Sequence, residues 1–571
     1  MIEELVTAST QLQGALDRYL AACSTIQKSC IAGIWARGLS SELASRVVQE
    51  LELLATYESA LRHANSVMRY ARNVPPFAPI NALPREVMSR IFSLAAGEDC
   101  ALYQVQPTGC KMRSKHADLL THVCSHWRQI ALGSRTLWSH IDIHSYGSFN
   151  TQLISRADVY ASRAGDTPLV LHVHLENTAK QPSLDNATFK LIASIAPRTR
   201  ALILKSETYY RSFLDLMLET ALNHCTPGIL TQLSVRSCST VDYPSDQFLL
   251  AKLNTGYENH VSTNDQNLLE GPPRQRFDNV MLHLTNLHMG TLFIPWSSRA
   301  YHNLTELCVT RGSGDLGRES GKILESDLVV ILRSSPFLRR LELDLVVLEG
   351  LSTTTPVEPI ALNYIEILKV AEQAPGSNSF SLRESELGPL LRWIAPGSKS
   401  LQFSITCFPR VIWTIEAPLF KGHLVKQFFS RSNVTTITAK WLNADHQVAD
   451  LWNAAPTVQT LILEEFERRS LLGSRDMHVS ESGPCLDTLY LLKTDVASLN
   501  NVIRILKPRR IFLWDCYESF LVPSGPSESV SQISQNSIIP PDVAFMLPHI
   551  PAIEFLDHDP RDQIAHQWDF E

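Results

Sequence analysis

A glycine-rich segment is the first candidate for a binding site in this chain. The glycine spacing of dinucleotide-binding loops occurs at Gly312-Ser313-Gly314-Asp315-Leu316-Gly317, directly after a predicted strand. A pyrophosphate site needs a helix that begins within the glycines, whereas the apolar part of the next predicted helix starts only at about Leu328. A near-match to a phosphate-binding loop, from Gly317 to Ile323, ends in Ile where magnesium binding needs Ser or Thr. We therefore expect a surface loop here and no bound cofactor.

Metal-ligating and acid–base side chains form two further groups. The first group has spacings that match no usual pair of zinc ligands: Cys100, Cys110, His116 and His122. The second group lies near the end of the sequence and is expected to be solvated: Asp557, His558, Asp559, Asp562 and His566. Neither Gly-x-Ser-x-Gly nor His-Glu-x-x-His occurs. The sequence therefore predicts no metal site, no catalytic residues and a protein that is not an enzyme.

The composition is that of a globular protein with several domains. The chain has 571 residues, of which 44% are hydrophobic and 19% are charged, so it can bury sizeable cores. The formal charge is -7 and no dense Lys/Arg patch occurs, which disfavours nucleic-acid binding. No stretch reaches roughly 18 uninterrupted apolar residues, and the acidic start is unlike a secretory signal. We expect a soluble protein of the cytoplasm or nucleus with no membrane partner.

Residues 1–75 carry apolar groups at helical spacing. A break at Gly38-Leu39-Ser40 separates two predicted helices, the second of which has Ser41 as its candidate N-cap. Pro75 and Pro76 end the second helix because proline lacks an amide donor and restricts the residue before it. We expect a helical hairpin rather than an intermolecular coiled coil, since the heptad repeat is short and imperfect.

The spacing of apolar residues within 79–143 predicts three short helices. The first begins at Pro84, a polar stretch over about residues 97–116 reads as a loop, and the second helix ends near Gly133. A third apolar cluster comprises Leu137, Trp138 and Ile141. Three helices of this length share little mutual core, so part of their apolar surface is expected to meet another element or another protein.

Three short motifs follow one another in this segment. Leu83-Pro84-x-Glu86 opens the first helix, Val123-Cys124-x-x-Trp127-Arg128 lies in the second, and Leu137-Trp138 comes after it. In this order the motifs resemble an F-box. The sequence is similar in particular to F-box proteins common in mushroom-forming fungi, which place a helical segment before the Leu-Pro pair. The loop from Gly97 to His116 is longer than the compact family pattern.

The resemblance implies that residues 79–143 dock onto a Skp1-type adapter of a cullin-RING ubiquitin ligase. Carried over position by position, the adapter contacts are Leu83, Pro84, Ile91, Phe92, Val123, Cys124, Trp127, Leu137 and Trp138. A helix face in a groove is recognised through anchors three or four residues apart, and buried aromatic residues supply much of the energy. The alternative is that Val123, Trp127 and Ile130 only fill an internal three-helix core.

Residues 150–560 repeat an apolar-x-x-apolar-x-apolar strand pattern after helical stretches and prolines. The pattern starts at Leu230, Phe277, Leu304, Leu338, Ile365, Val434, Val458 and Leu486. This region resembles the degenerate leucine-rich repeats that often follow an F-box, and it lacks the Asn of regular repeats. The predicted fold is thus a multi-domain α+β or α/β chain: helical hairpin, three-helix F-box, and an irregular leucine-rich-repeat-like solenoid. A doubly wound α/β domain is the alternative for the repeat region.

Strand neighbours alternate sides, so the residues between and after the leucines are expected on the concave face of the solenoid. These candidate target-binding residues are Arg236, His283, Glu342, Asp344, Lys440, Glu464, Tyr490, Phe512 and Trp514. Their mixture of charged and aromatic groups is typical of protein recognition, although each residue alone also fits an ordinary solvated strand position. A Ser-, Gln- and Asn-rich stretch, Pro523 to Pro541, predicts a linker or mobile loop.

The sequence therefore favours a substrate-recognition subunit of a Skp1-cullin-F-box type ubiquitin ligase. The adapter would bring the cullin and RING subunits, and the repeat region would hold an unknown target protein. The first alternative is a non-catalytic interaction scaffold without ubiquitin transfer. A second is an α/β enzyme that uses the Gly312 loop.

Overall fold

The computed structural model describes most of the chain. The described residues are 1–31, 41–73, 78–96, 117–144, 150–175, 186–206, 211–237, 248–249, 274–311, 321–348, 357–372, 387–407, 420, 422–442, 444–466, 485–494, 500–516, 553–556 and 559–560. The Gly312 loop, the stretch 523–541, most of the C-terminal Asp/His group, and Cys100, Cys110 and His116 lie outside them. Among the described residues, no helix is long and apolar enough to cross a membrane.

The chain divides into two compact units. The helical unit comprises Met1–Phe92 and Asp118–Ala131, and the sheet unit comprises Ser93–Ala117 and Leu132–Glu571. This division differs from the predicted segments 1–75, 79–143 and 150–560. The hairpin is grouped with the first helices of the F-box-like segment, whereas residues from Leu132 onward belong with the sheet.

Two long helices and several short ones build the helical unit. Their bounds are α1 Ile2–Ile31, α2 Ser41–Arg72, α3 Arg85–Ala96, α4 Ala117–Thr121 and α5 Ser125–Gly133, with a 3₁₀ turn at Pro79–Ala82. The predicted helices at the start of the chain are confirmed. The Tyr19 hydroxyl donates to Glu50 at 3.2 Å and joins α1 to α2. Many apolar side chains along both long helices remain exposed.

Eighteen strands occur among the described residues. They are β1 His140–His144, β2 Leu169–Leu175, β3 Thr199–Ser206, β4 Gln232–Ser237, β5 Asn286–Gly290, β6 Glu306–Thr310, β7 Lys322–Leu324, β8 Arg340–Leu343, β9 Val346–Leu348, β10 Ile360–Leu362, β11 Ile367–Glu372, β12 Ile394–Pro396, β13 Leu401–Cys407, β14 Val434–Lys440, β15 Thr460–Glu464, β16 Thr488–Leu492, β17 Arg510–Trp514 and β18 Ile553–Phe555. Fourteen of them form one parallel sheet, and β7–β9 and β10–β12 form two small parallel pairs.

Strand order in the large sheet follows chain order from β1 to β18 without reversal. A doubly wound sheet reverses its order at a switch point, so that alternative is wrong for this sheet. The mixed helix-and-strand class predicted from the sequence is confirmed. The connecting helices are α6 Asn150–Ala164, α7 Asn186–Ile195, α8 Arg211–His224, α9 Arg274–Met281, α10 Glu325–Ser334, α11 Leu387–Leu391, α12 His423–Ser430, α13 Asp445–Ala454 and α14 Asn500–Leu506.

An apolar column crosses thirteen of the fourteen strands and forms much of the sheet's core. Its members occupy matching register positions on adjacent strands: Ile141, Leu171, Leu202, Leu233, Leu287, Leu307, Leu341, Leu368, Phe403, Ile437, Leu461, Leu489 and Ile511. Each is at most 2% exposed. Full burial of one such side chain contributes about 1.5–3 kcal/mol, so this column is a main source of the sheet's stability.

The residue after several strands takes a left-handed backbone conformation. Thr291, Trp441, Glu465 and Lys493 have φ of 71°, 60°, 52° and 50°. The amide of each donates to a carbonyl on the next strand, as Glu465 N does to Leu492 O at 2.9 Å. Non-glycine residues adopt this conformation at a cost of about 1–2 kcal/mol, and the inter-strand bond offsets it. The turns therefore repeat in structure although their residue types differ.

Most predicted strand patterns coincide with observed strands, namely β4, β6, β8, β11, β14, β15 and β16. The pattern that starts at Phe277 is wrong, because Arg274–Met281 forms α9. Phe277, Val280 and Met281 are three and four residues apart, a spacing that also fits a helix. The strand comes one pattern later: Leu284-x-x-Leu287-x-Met289 overlaps β5, which spans Asn286–Gly290.

Candidate interaction surfaces

Five apolar side chains of the helical unit are exposed near the F-box-like motifs. We call Ile80, Leu83, Val87, Leu119 and Val123 the exposed apolar set. Their exposed fractions lie between 38% and 59%. The first three are spaced three and four residues apart around the start of α3, and the other two lie in α4 and just before α5. Such side chains lose favourable burial energy unless a partner covers them.

Trp127 on α5 connects the short helices of this unit. Its indole Nε1–H donates to Asn81 Oδ1 at 2.7 Å, and its ring centroid lies 4.9 Å from that of Phe92. The Asn81 side-chain amide donates in turn to the Asn73 carbonyl at 2.5 Å, beside the end of α2. Residues far apart in sequence are thereby fixed around the 3₁₀ turn that precedes Leu83.

The predicted adapter contacts fall into groups of different exposure. Leu83, Pro84 and Val123 are exposed, and Ile91, Cys124 and Trp127 are partly buried. Phe92 is fully buried against Trp127. Under the alternative, Val123, Trp127 and Ile130 only fill an internal three-helix core. Ile130 is buried and fits that alternative, whereas Val123 is exposed and does not.

Leu137 and Trp138 are not available as predicted. Both are buried in the sheet unit, where they belong to the 3₁₀ turn Arg135–Trp138. The Trp138 ring packs edge-on against Tyr160 with centroids 4.9 Å apart, and the Arg163 guanidinium lies 4.3 Å from its centroid. Their assignment as adapter contacts is therefore corrected to a core role, because α6 already covers the indole.

The sheet carries a second column of side chains, offset by one residue from the apolar column, and we call its side of the sheet the polar face. Strand neighbours point to opposite sides, so these residues share one face. In strand order they are Asp142, His172, Ile203, Ser234, His288, Cys308, Glu342, Lys369, Ser404, Thr438, Ile462, Tyr490, Phe512 and Glu554.

Charged groups dominate the middle of the polar face. His288 Nε2 lies 3.4 Å from Glu306 Oε2, and Arg340 Nη2 lies 3.2 Å from Glu342 Oε2. The hydrogen bond with His288 holds the pKa of Glu306 below its usual value, against the opposing effect of burial. Lys369 Nζ is 4.0 Å from Glu342 Oε2. The His288–Glu306 and Lys369–Glu342 pairs join neighbouring strands, whereas Arg340 and Glu342 both lie on β8. Together they leave a surface of alternating charge.

Aromatic groups dominate the last strands of the polar face. The Tyr490 and Phe512 rings stack with centroids 4.8 Å apart and planes at 16°, and we call this pair the aromatic platform. Both residues are partly exposed. Partial burial raises the pKa of the Tyr490 phenol, which stays protonated. Lys493 Nζ lies 5.4 Å from the Trp514 ring centroid, a cation–π distance.

Most of the predicted target-binding residues lie on the polar face. By strand register these are Arg236, Glu342, Lys440, Glu464, Tyr490, Phe512 and Trp514. His283 instead lies exposed in the turn after α9, and His288 takes the strand position. Asp344 lies just beyond β8, where Arg311 Nη2 donates to its carboxylate at 2.8 Å.

A group at the start of the sheet was missed by the sequence analysis. His140 Nε2 is 3.1 Å from Asp142 Oδ1, and the His140 and His172 ring centroids are 4.3 Å apart. Burial, and to a smaller extent His140, lowers the pKa of His172 to about 4. The pattern His-x-Asp is short and the second His follows on another strand, so no motif in the sequence marks the group.

No family model matches this chain, and no curated protein matches it. Among solved structures, the chain is similar to the crystal structure of the Rad7 and Elc1 complex in yeast. The identity is 11% and the TM-score 0.31, over 77% of this chain and 97% of that chain.

Proposed function

We propose that this protein is the substrate-recognition subunit of a Skp1-cullin-F-box type ubiquitin ligase. The observation that carries the proposal is the exposed apolar set, which surrounds the Leu83-Pro84 and Val123-Cys124 motifs that resemble an F-box. Side chains of this kind normally pack inside a fold, and here they remain at the surface. A groove on a Skp1-type adapter is the partner surface that the resemblance implies.

The proposed adapter surface differs from the sequence-based set in three respects. Leu83, Pro84 and Val123 stay in it because they are exposed, and Ile80, Val87 and Leu119 join it for the same reason. Phe92 and Trp127 act from beneath, since they hold α3, α5 and the 3₁₀ turn together. Leu137 and Trp138 leave the set because they are core residues of the sheet unit.

The proposed target surface is the polar face of the sheet. We infer that the sheet is that of a leucine-rich-repeat-like solenoid, because its strands follow chain order and share one buried apolar column. Protein interfaces combine an aromatic centre with a polar rim, and the aromatic platform beside ion-paired strands offers both. Lys440 Nζ lies 3.3 Å from carboxylate oxygens of Glu464 and of Glu465 in this part of the face.

In this proposal the protein contributes position rather than acid or base chemistry. The adapter brings the cullin and RING subunits, and the sheet holds the target near the ubiquitin-loaded enzyme. Holding two reactants in a fixed geometry raises their effective concentration, which accelerates transfer without a catalytic residue on this chain.

The adapter half is tested by purifying the full-length chain with a recombinant Skp1-type adapter. We expect the wild-type chain to co-purify, and the double change Leu83→Asp with Val123→Asp to lose the adapter, because two carboxylates would enter an apolar interface. Val330→Asp is the matched control, since Val330 is equally exposed on the sheet unit. Far-UV circular dichroism of all variants checks that the fold is retained.

Binding that survives the double change would overturn the assigned adapter surface. Addition of a cullin then separates the two functional hypotheses. A ternary complex supports the ligase subunit, whereas adapter binding without cullin recruitment favours the scaffold without ubiquitin transfer.

A further inference from the structure

Three potential metal ligands converge on the first two strands of the sheet. His140 and Asp142 lie on β1 two positions apart, and His172 is the register partner of Asp142 on β2. One ligand atom from each of the three residues lies within 4.8 Å of the others. The alternation of β-strands therefore brings two imidazoles and one carboxylate to the same face.

The spacing fits an ion that prefers short bonds to nitrogen and oxygen. Bonds of about 2.0–2.1 Å in a tetrahedral site put ligand atoms about 3.3 Å apart. His140 Nε2 and Asp142 Oδ1 are already 3.1 Å apart. All three ligand atoms lie within 4.8 Å of one another, so side-chain rotations that shorten the longest separation by about 1.5 Å would bring them to this spacing. The His140 side chain is 28% exposed, which leaves space on its solvent side for such a rotation.

The surroundings favour metal binding over a bare His–Asp hydrogen bond. His172 is only 8% exposed, so a rigid strand and its neighbours hold its ring in place. The two rings lie at 40° with centroids 4.3 Å apart, so both imidazoles stand beside the Asp142 carboxylate on one face of the sheet. Access remains open from the polar face, because the Asp142 side chain is 18% exposed.

We propose that His140, Asp142 and His172 bind one divalent transition-metal ion of the zinc class, with solvent completing the coordination. Two imidazoles and one carboxylate form a ligand set that suits zinc and its neighbours better than magnesium, which prefers oxygen alone. The ion joins β1 to β2. Since β1 is the outermost strand at this end of the sheet, the bound ion fixes a strand that has a neighbour on one side only.

The test measures zinc bound to the full-length chain after dialysis against a weak chelator. We expect about one zinc per wild-type chain and a loss of more than about 100-fold in affinity for Asp142→Asn and for His140→Ala, since even outer-shell changes cost 10–100-fold. Both changes are conservative for folding because both side chains are partly exposed. Magnesium in place of zinc is expected to bind far more weakly.

His288→Ala is the matched control. His288 lies on the same face and faces Glu306 at 3.4 Å, so it forms a His–carboxylate pair without a second imidazole. We expect this variant to bind zinc like the wild type and to show the same zinc-dependent rise in thermal unfolding midpoint. Asp142→Asn is expected to show no such rise.

Cobalt spectroscopy distinguishes the proposed site from exposed thiols such as Cys23 and Cys485. Imidazole and carboxylate ligands give d–d absorption without a thiolate charge-transfer band, and this spectrum should vanish in Asp142→Asn. A thiolate band that persists in Asp142→Asn overturns the proposal. Three other results would also overturn it. These are zinc binding by the wild-type chain that is no tighter than binding by His140→Ala, a loss of zinc affinity in His288→Ala as large as that in Asp142→Asn, and magnesium binding that is as tight as zinc binding.

Discussion

In the sheet unit, thirteen apolar side chains line up across adjacent strands and none is more than 2% exposed, whereas the helical unit leaves Leu83, Val123 and their neighbours at the surface. The sheet unit buries these hydrophobic side chains within itself, because each packs beside its register partner on the neighbouring strand. Short helices cannot do the same, since a wide apolar stripe on each exceeds the core that they share.

This difference in the burial of apolar side chains indicates which of the two units would gain more stability from a bound partner. On the polar face the sheet has charged, polar and aromatic side chains, several of them partly exposed, which suit the exchangeable target that we propose. On the helical unit, apolar side chains gain from cover by a stable subunit. The first surface suits a variable partner and the second a constant one.

The largest loss of stability is expected from a substitution in the apolar column. Phe403→Ala removes a buried ring that packs 5.3 Å from Phe429 and 5.9 Å from Phe428, measured between centroids. We expect the free energy of unfolding of the sheet unit to fall by about 3–5 kcal/mol. Urea unfolding followed by circular dichroism measures it. Leu83→Ala should change stability by less than about 0.5 kcal/mol, and an equal loss in both variants would contradict the contrast between the units.

A buried ion pair gives the next largest effect. Glu325 accepts hydrogen bonds from Arg392 and from the Trp393 indole, and the side chains of Glu325 and Arg392 are each 2% exposed. Arg392→Met leaves a buried carboxylate without the two donors of the guanidinium, and we expect a loss of about 3 kcal/mol. In the exposed pair Arg509–Asp487, Arg509→Met should cost less than about 1 kcal/mol. Similar losses at both sites would show that burial does not decide the effect.

The helical unit should respond more weakly to loss of one hydrogen bond. Trp127→Phe removes the donor to Asn81 Oδ1, and we expect a loss of about 1 kcal/mol in the thermal stability of this unit. Asn81→Ala should cost a similar amount. The double variant should lose less than the sum of the two, because both single changes break the same bond. Additive losses would mean that the bond does not couple α5 to the 3₁₀ turn.

The smallest effect concerns pH. The pKa of Glu306 is lowered in the folded chain, chiefly by its hydrogen bond with His288. The ionised Glu306 carboxylate therefore stabilises the fold at pH values above the pKa that this group has in the unfolded chain. This stabilisation is lost as the pH falls through the lower pKa that the group has in the folded chain. Glu306→Gln should be slightly less stable than the wild type at pH 7, with a difference that shrinks in acid. Denaturation midpoints across that range measure it, with Glu366→Gln, at an exposed carboxylate, as the control. A difference that grows in acid would reverse the sign.

Local patterns were enough for much of the chain. The long helices, the parallel strands at Leu304, Val458 and Leu486, and the Leu83-Pro84 and Trp127 motifs are visible in sequence because they depend on neighbours within a few residues. The error at Phe277 has the same origin, since a short apolar pattern fits a helix as well as a strand.

By itself the sequence determined which segments fold as helices and strands and which side chains alternate between core and surface, because both follow from periodicity along the chain. Only the tertiary structure decided that Trp138 is enclosed by α6 and that His140, Asp142 and His172 meet on one face. The physical reason is register: parallel strands about thirty residues apart are aligned by packing of the helices between them, and no local spacing specifies that alignment.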